Sequence, residues 1–156
     1  MALTGAKQIA FIEADEQGGL EHADGVVSLV DQNTLVINAY PLPTMPSNLK
    51  RGIPNVKIRE IITPYDGSEI HDGKFGSACG LYTNMLVTSE RIYFPQFGIK
   101  EDAVALKQIR SVTKRTVVPV QSSNVCHMGG GVRCMSWQVR GKNAELFLNY
   151  LNKISK

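Results

Sequence analysis

Apolar residues along the chain fall mostly into short runs, alternating or continuous, of the kind that make strands. These runs are Gln8–Ile12, Val26–Val30, Thr34–Ala39, Val56–Ile62, Tyr82–Thr88, Arg91–Pro95, Thr116–Val120 and Val132–Val139. Asp31-Gln32-Asn33 separates the second run from the third, and Ser89-Glu90 the fifth from the sixth. Links this short and polar predict two hairpins. A helical pattern follows each hairpin. Glu101–Lys114 places Ala103, Leu106, Ile109 and Val112 or Thr113 on one face, with acids in its first turn and cations in its last. Ser47–Arg51 is shorter, with Ser47 as N-cap after Pro46 and Gly52 as a stop. Lys142–Ser155 is a further amphipathic helix, with Leu146, Phe147, Tyr150, Leu151 and Ile154 on the face expected to be buried.

The order strand, strand, helix, strand occurs twice. Val26 matches Asn84 or Met85, Leu35 matches Ile92 and Ile58 matches Val117, at offsets of 57 to 59 residues. A constant offset predicts an internal structural repeat. The expected fold is α/β: two ββαβ modules at about 24–63 and 81–121, flanking strands, and a closing strand and helix over 131–156, all in one domain 1–156.

Composition narrows the class. With 156 residues the chain has the length of one domain, and 43% apolar against 20% charged residues excludes disordered, collagen-like and coiled-coil chains. Net charge is +3, and the densest basic spots, Lys50-Arg51 and Lys114-Arg115, are two residues long. No basic stripe with interleaved aromatics exists, so no nucleic-acid partner is expected. Apolar runs such as Gly25–Val30 fall far short of a bilayer span, and Met1–Gly5 opens no secretory leader, so no membrane partner is expected either. Cys79, Cys126 and Cys134 form an odd set without a CxxC pair. They read as reduced thiols of a cytoplasmic protein, one of which can be reactive.

Three segments carry candidate chemistry: Glu21-His22-Ala23-Asp24-Gly25, Tyr82-Thr83-Asn84, and Gly129-Gly130-Gly131-Val132-Arg133-Cys134. Singly, each has a bland reading: a structural histidine, a permissive glycine turn, a small buried thiol. In this order, with Phe94-Pro95-Gln96-Phe97-Gly98 between them, they resemble the agmatine deiminase and bacterial-type peptidylarginine deiminase family of guanidino-group-modifying enzymes, from about Lys7 to Val139. That resemblance implies a five-bladed pseudo-symmetric propeller of ββαβ units, and a pathway role in putrescine biosynthesis for the agmatine enzymes. It also implies Cys134 as nucleophile, His22 as proton carrier and Asp24 as the grip on a guanidinium. Asn84, Gly130, Gly131 and Arg133 would line the substrate pocket. No cofactor and no metal is implied.

The chemistry suits these residue types. A guanidinium is planar and permanently charged, so a carboxylate holds it through paired hydrogen bonds. Its carbon is a poor electrophile and calls for a thiolate. Attack by Cys134 would expel ammonia, His22 would protonate the leaving nitrogen, and the same imidazole would activate the water that hydrolyses the S-alkylthiouronium to a ureido product. Two departures stand out. Family members are more than twice this length and draw a second carboxylate and aromatics from an N-terminal half. In the agmatine deiminases the residue before the cysteine is commonly His, here Arg133, an added cation beside a cationic substrate.

The expected substrate is therefore a small guanidino compound or peptidyl-arginine. The open alternatives are an amidinotransferase, a non-catalytic binding or assembly module, and zinc binding through Cys126-His127 with Cys134 and His22 or His71, whose spacing is poor. Two modules of a ring leave edges exposed, so a homo-oligomer or a complementing chain is expected to cover them. The loop Pro64–Gly80, 17 residues long, reads as a substrate-side lid without structure of its own. Cys79 is expected to pack under the strand it precedes. Trp137 and Tyr150 are expected in the core.

Overall fold

A computed structural model describes residues 7–13, 22–39, 43–66, 68, 70–71, 75–139 and 141–155. A four-residue helical turn, α1 (Ala23–Val26), leads into the antiparallel hairpin β1 (Val27–Asp31) and β2 (Thr34–Asn38). Helix α2 (Met45–Gly52) then crosses over to β3 (Lys57–Ile61), which pairs parallel to β2. The hairpin β4 (Ile70–His71) and β5 (Phe75–Gly76) intervenes. The pattern then repeats: β6 (Leu86–Val87) antiparallel to β7 (Arg91–Gln96), helix α3 (Asp102–Val112), and β8 (Thr116–Gln121) parallel to β7. A 3₁₀ turn (Cys126–Met128) and helix α4 (Lys142–Ile154) complete the described chain. Two three-stranded mixed sheets therefore share one topology. Leu35 pairs with Ile58 in the first and Ile92 with Val117 in the second, the same residues that the sequence offset matches.

Alternation along β2 explains how the two units join. Leu35 and Ile37 face the first unit's own core with Met45, Leu49 and Val56. Val36, between them, joins Val30 and Ile61 in the second cluster, with Ile92, Phe94, Ala105, Ile109 and Val117. Strand β2 is thus buried on both faces, and α3 is wedged between its own sheet and its neighbour. Gln108 on α3 accepts the Ile62 N–H at 2.9 Å. Arg115 closes the seam: its Nε donates to the Thr88 carbonyl at 2.9 Å, its Nη1 donates to the Val30 carbonyl, and Asp31 lies 3.6 Å away.

Several expectations are corrected. Gln8–Ile12 is not a strand; it lies over α2, where Gly52 sits so close beneath Ala10 that a Cβ would overlap it. Helix α2 begins at Met45 after Thr44, not at Ser47, because Pro46 fits the first turn, where its missing N–H goes unused. Only Leu86–Val87 of Tyr82–Thr88 pairs as strand, since Leu81–Met85 turns to aim its side chains inward. Val132–Val139 is not a strand: residues 132–135 form turns, with Met135 N–H bonded to the Gly131 carbonyl and Ser136 N–H to that of Arg133. Loop 64–80 carries the β4–β5 hairpin, although Asp72 lies outside the described residues.

In α3 the buried positions are Ala105 and Ile109, while Ala103 faces solvent. Helix α4 forms where the periodicity puts it, yet none of its residues is buried. Trp137, expected in the core, is 80% exposed and touches only Phe147 among described aromatic contacts, edge-on at 6.2 Å. Tyr150 is likewise exposed. No described helix is long and apolar enough to cross a membrane.

Candidate functional site

Asp24, Asn84 and Cys134 come from three distant parts of the chain, and a buried polar lattice brings them together. The carbonyl of Gly25, next to Asp24, accepts from Asn38 Nδ2 at 2.9 Å and from the Thr83 hydroxyl at 2.7 Å. The same hydroxyl lies 2.9 Å from Asn38 Oδ1. Asn38 and Thr83 are both buried. Polar groups this deep must be paired, so the lattice admits one docking of α1 against the second unit. Asn38 belongs to none of the three motif segments, and Thr83 sits in one of them without a chemical role of its own. Their only signal in the sequence is polarity at positions that continue apolar strand patterns.

Asn84 is the hub. It is 3% exposed, and its two amide atoms do different jobs. Oδ1 accepts the Gly131 N–H at 3.1 Å and the Cys134 N–H at 3.3 Å, fixing the glycine turn. Nδ2 donates to Cys134 Sγ at 3.0 Å and to Asp24 Oδ2 at 3.3 Å. Cys134 Sγ lies 3.6 Å from that same carboxylate oxygen. The Asn84 carbonyl accepts the Arg133 N–H at 3.1 Å. Thiol, carboxylate and amide therefore form one triangle. A Cβ on Gly131 would stand 2.9 Å from Asn84 Oδ1, and one on Gly130 would stand 2.9 Å from Cys134 Cβ. The glycines are needed for close approach inside the protein.

His22 caps α1, its carbonyl accepting the Gly25 N–H at 2.9 Å. Its side chain is exposed and takes no part in the triangle. Arg133 is half-buried and, with Asp24, Thr83 and Gln138, lines a cleft of about 250 Å³. A larger concavity of about 420 Å³, between residues 9–13 and α2, contains none of these groups. Cys134 is exposed.

The other cysteines overturn the reduced-thiol expectation: Cys79 and Cys126 are disulfide-bonded. The bond links the segment leading to Asn84 with the segment leading to Cys134. Ala78 N–H reinforces it by donating to the Cys126 carbonyl at 2.8 Å. The alternative zinc set of Cys126-His127 with Cys134 is not assembled among the described residues, where the ligand atoms that come together are those of Cys79, Cys126 and His127.

Comparison with known proteins places these observations. A family model described as Porphyromonas-type peptidyl-arginine deiminase matches residues 2–139. A curated protein of Lactococcus lactis subsp. lactis (strain IL1403), described as "Putative agmatine deiminase", is 36% identical over 58 residues, 36% of this chain and 16% of that one. A second with the same description, from Enterococcus faecalis (strain ATCC 700802 / V583), is 31% identical over 58 residues, again 36% and 16%. Among solved structures, C. jejuni agmatine deiminase superposes with a TM-score of 0.66 at 18% identity, over 85% of this chain and 43% of that one. The chain spans less than half the length of these relatives.

Proposed function

Because the chain belongs to the Porphyromonas-type peptidyl-arginine deiminase family, we propose that it supplies the nucleophilic part of a site that deiminates a guanidino group. The observation that carries this reading is the Cys134–Asp24–Asn84 triangle, a thiol within 3.6 Å of a carboxylate and 3.0 Å of an amide donor. Asp24 seats the planar cation through charge-assisted hydrogen bonds and so sets the guanidinium carbon before the sulfur. The cation also cancels the carboxylate charge beside the thiol at the moment a thiolate is needed.

Cys134 passes its thiol proton to His22, and the sulfur forms a bond to the guanidinium carbon to give a tetrahedral adduct. That adduct collapses with loss of ammonia, the departing nitrogen taking a proton from His22. Water, deprotonated by His22, then adds to the thiouronium carbon and the carbon–sulfur bond breaks. The thiolate is restored and a ureido product leaves. His22 needs to swing toward the sulfur, which its exposed position at the helix cap allows. Arg133 stands at the cleft and disfavours a substrate with a second cation there, which favours peptidyl-arginine, whose α-amine is an uncharged amide, over agmatine.

We further infer that this chain works with a second copy or a complementing chain. Cys134 is exposed, only one carboxylate faces it in the described hydrogen bonds, and the α4 face of Leu146, Phe147, Tyr150 and Ile154 lies open. Light scattering on chromatographed protein, with ammonia and ureido assays on the same fractions, tests both halves of the reading. Turnover of an arginyl substrate by an associated species, lost in Cys134→Ala, is the expected result. Equal ammonia release by Cys134→Ala would overturn the catalytic assignment. Full turnover by a monomer would overturn the need for a partner.

A further inference from the structure

The disulfide has a third neighbour. His127 Nδ1 lies 3.6 Å from Cys79 Sγ, and the ligand atoms of Cys79, Cys126 and His127 all fall within 4.8 Å of one another. Ligands on one tetrahedral zinc-class ion, with bonds of about 2.0–2.3 Å, stand about 3.3–3.8 Å apart. The backbone already holds the two halves of this set together. Ala78 N–H donates to the Cys126 carbonyl at 2.8 Å, the Ser77 hydroxyl accepts the Cys79 N–H at 3.2 Å, and the Cys126 N–H is bonded to the Ser122 carbonyl at 3.0 Å. Opening the disulfide would therefore separate the sulfurs without dispersing the ligands. Cys126 is buried, while Cys79 and His127 are half-buried, which leaves a path for an ion.

We propose that Cys79, Cys126 and His127 form a binding site for a thiophilic divalent cation of the zinc class, available when the disulfide is reduced. Two thiolates and one imidazole nitrogen supply three positions, and water takes the fourth. A dithiol reductant supplies two electrons and two protons; it becomes a disulfide while Cys79 and Cys126 become thiols. The ion then displaces two protons as the sulfurs bind it. The site is separate from the Cys134 triangle and does not rest on the deiminase reading. Its place in the fold gives it a consequence, because disulfide and metal are alternative clasps on the segments that lead to Asn84 and Cys134.

The test uses the full chain, reduced and freed of reductant without air, titrated with Co²⁺ and then with Zn²⁺. The expected result is thiolate-to-cobalt charge-transfer absorption with tetrahedral d–d bands, saturating at a single ion and bleached by Zn²⁺. These bands persist in Cys134→Ala and disappear in Cys79→Ser and in the oxidised chain. His127→Ala leaves both cysteines in place, so it probes the site even if Cys79→Ser fails to fold. It weakens Co²⁺ binding by about tenfold or more. The proposal is overturned if the reduced chain shows no charge-transfer band, if the band survives Cys79→Ser, if it vanishes with Cys134→Ala, or if His127→Ala binds cobalt as tightly as the parent.

Discussion

Asn84 fills a position where no other side chain would serve. Its carbonyl oxygen collects two backbone N–H groups of the glycine turn while its nitrogen reaches the thiol and the carboxylate. Asn84→Ala strands those buried donors, and the expected loss is about 2–3 kcal/mol in urea unfolding, with Cys134 left unaligned. Gly131→Ala forces a methyl group to 2.9 Å from Asn84 Oδ1 and should cost roughly 1–3 kcal/mol in the same measurement. Both effects should appear together with altered Cys134 reactivity, because one turn carries both. Cys134, Asp24 and Asn84 are legible in the sequence as parts of an ordered motif. The Cys79–Cys126 bond is not, since 47 residues separate its ends and only the folded chain brings them together. Asn38 is not either, because a polar residue that completes a buried lattice looks like any strand end.

At the level of elements, hairpins and helices are legible because their periodicity and turn chemistry are local. What local pattern does not supply is orientation. On α3 the periodicity correctly puts Leu106, Ile109 and Val112 on the core, but packing between two sheets buries Ala105 and leaves Ala103 in solvent. Val132–Val139 has strand-like composition, yet its backbone turns to deliver Cys134. The start of α3 carries its own prediction. Asp102 accepts the Tyr82 hydroxyl at 2.7 Å and the N–H groups of Phe97, Gly98 and Ile99 at 2.8 to 3.2 Å. Gly98 takes a positive φ of 75° in that turn. Burial, followed by the Asp102 hydrogen bond, raises the Tyr82 phenol well above its ordinary value. In the unfolded chain Tyr82 loses its proton near about pH 10, while the folded chain keeps it. The folded state then binds more protons, so stability that is complete below that pH falls as pH rises beyond it. Urea midpoints should decline above about pH 10, and Tyr82→Phe should flatten that decline while lowering the midpoint at neutral pH.

Across the whole molecule, the repeat offset predicts two sheets of one topology, and the structure adds how they are locked. Arg115 reaches both hairpins, and removing it as Arg115→Ala should cost about 1–2 kcal/mol, mostly from carbonyl bonds, since its half-exposed partner Asp31 is screened by water. Helix α4 is the counter-case. None of its residues is buried, so deleting 142–156 should leave the urea midpoint of the isolated chain unchanged within error. A marked fall would show that the helix packs on the body in solution.

The proposed role of Cys134 is that of a nucleophile built to meet an amidine-type cation. It is tested most directly by the rate at which Cys134 is alkylated by 2-chloroacetamidine against neutral 2-chloroacetamide. The chain should favour the amidinium reagent by about tenfold or more, the worth of one charge-assisted contact, and Asp24→Asn should erase that preference. Equal rates for the two reagents, or a preference that survives Asp24→Asn, would contradict it.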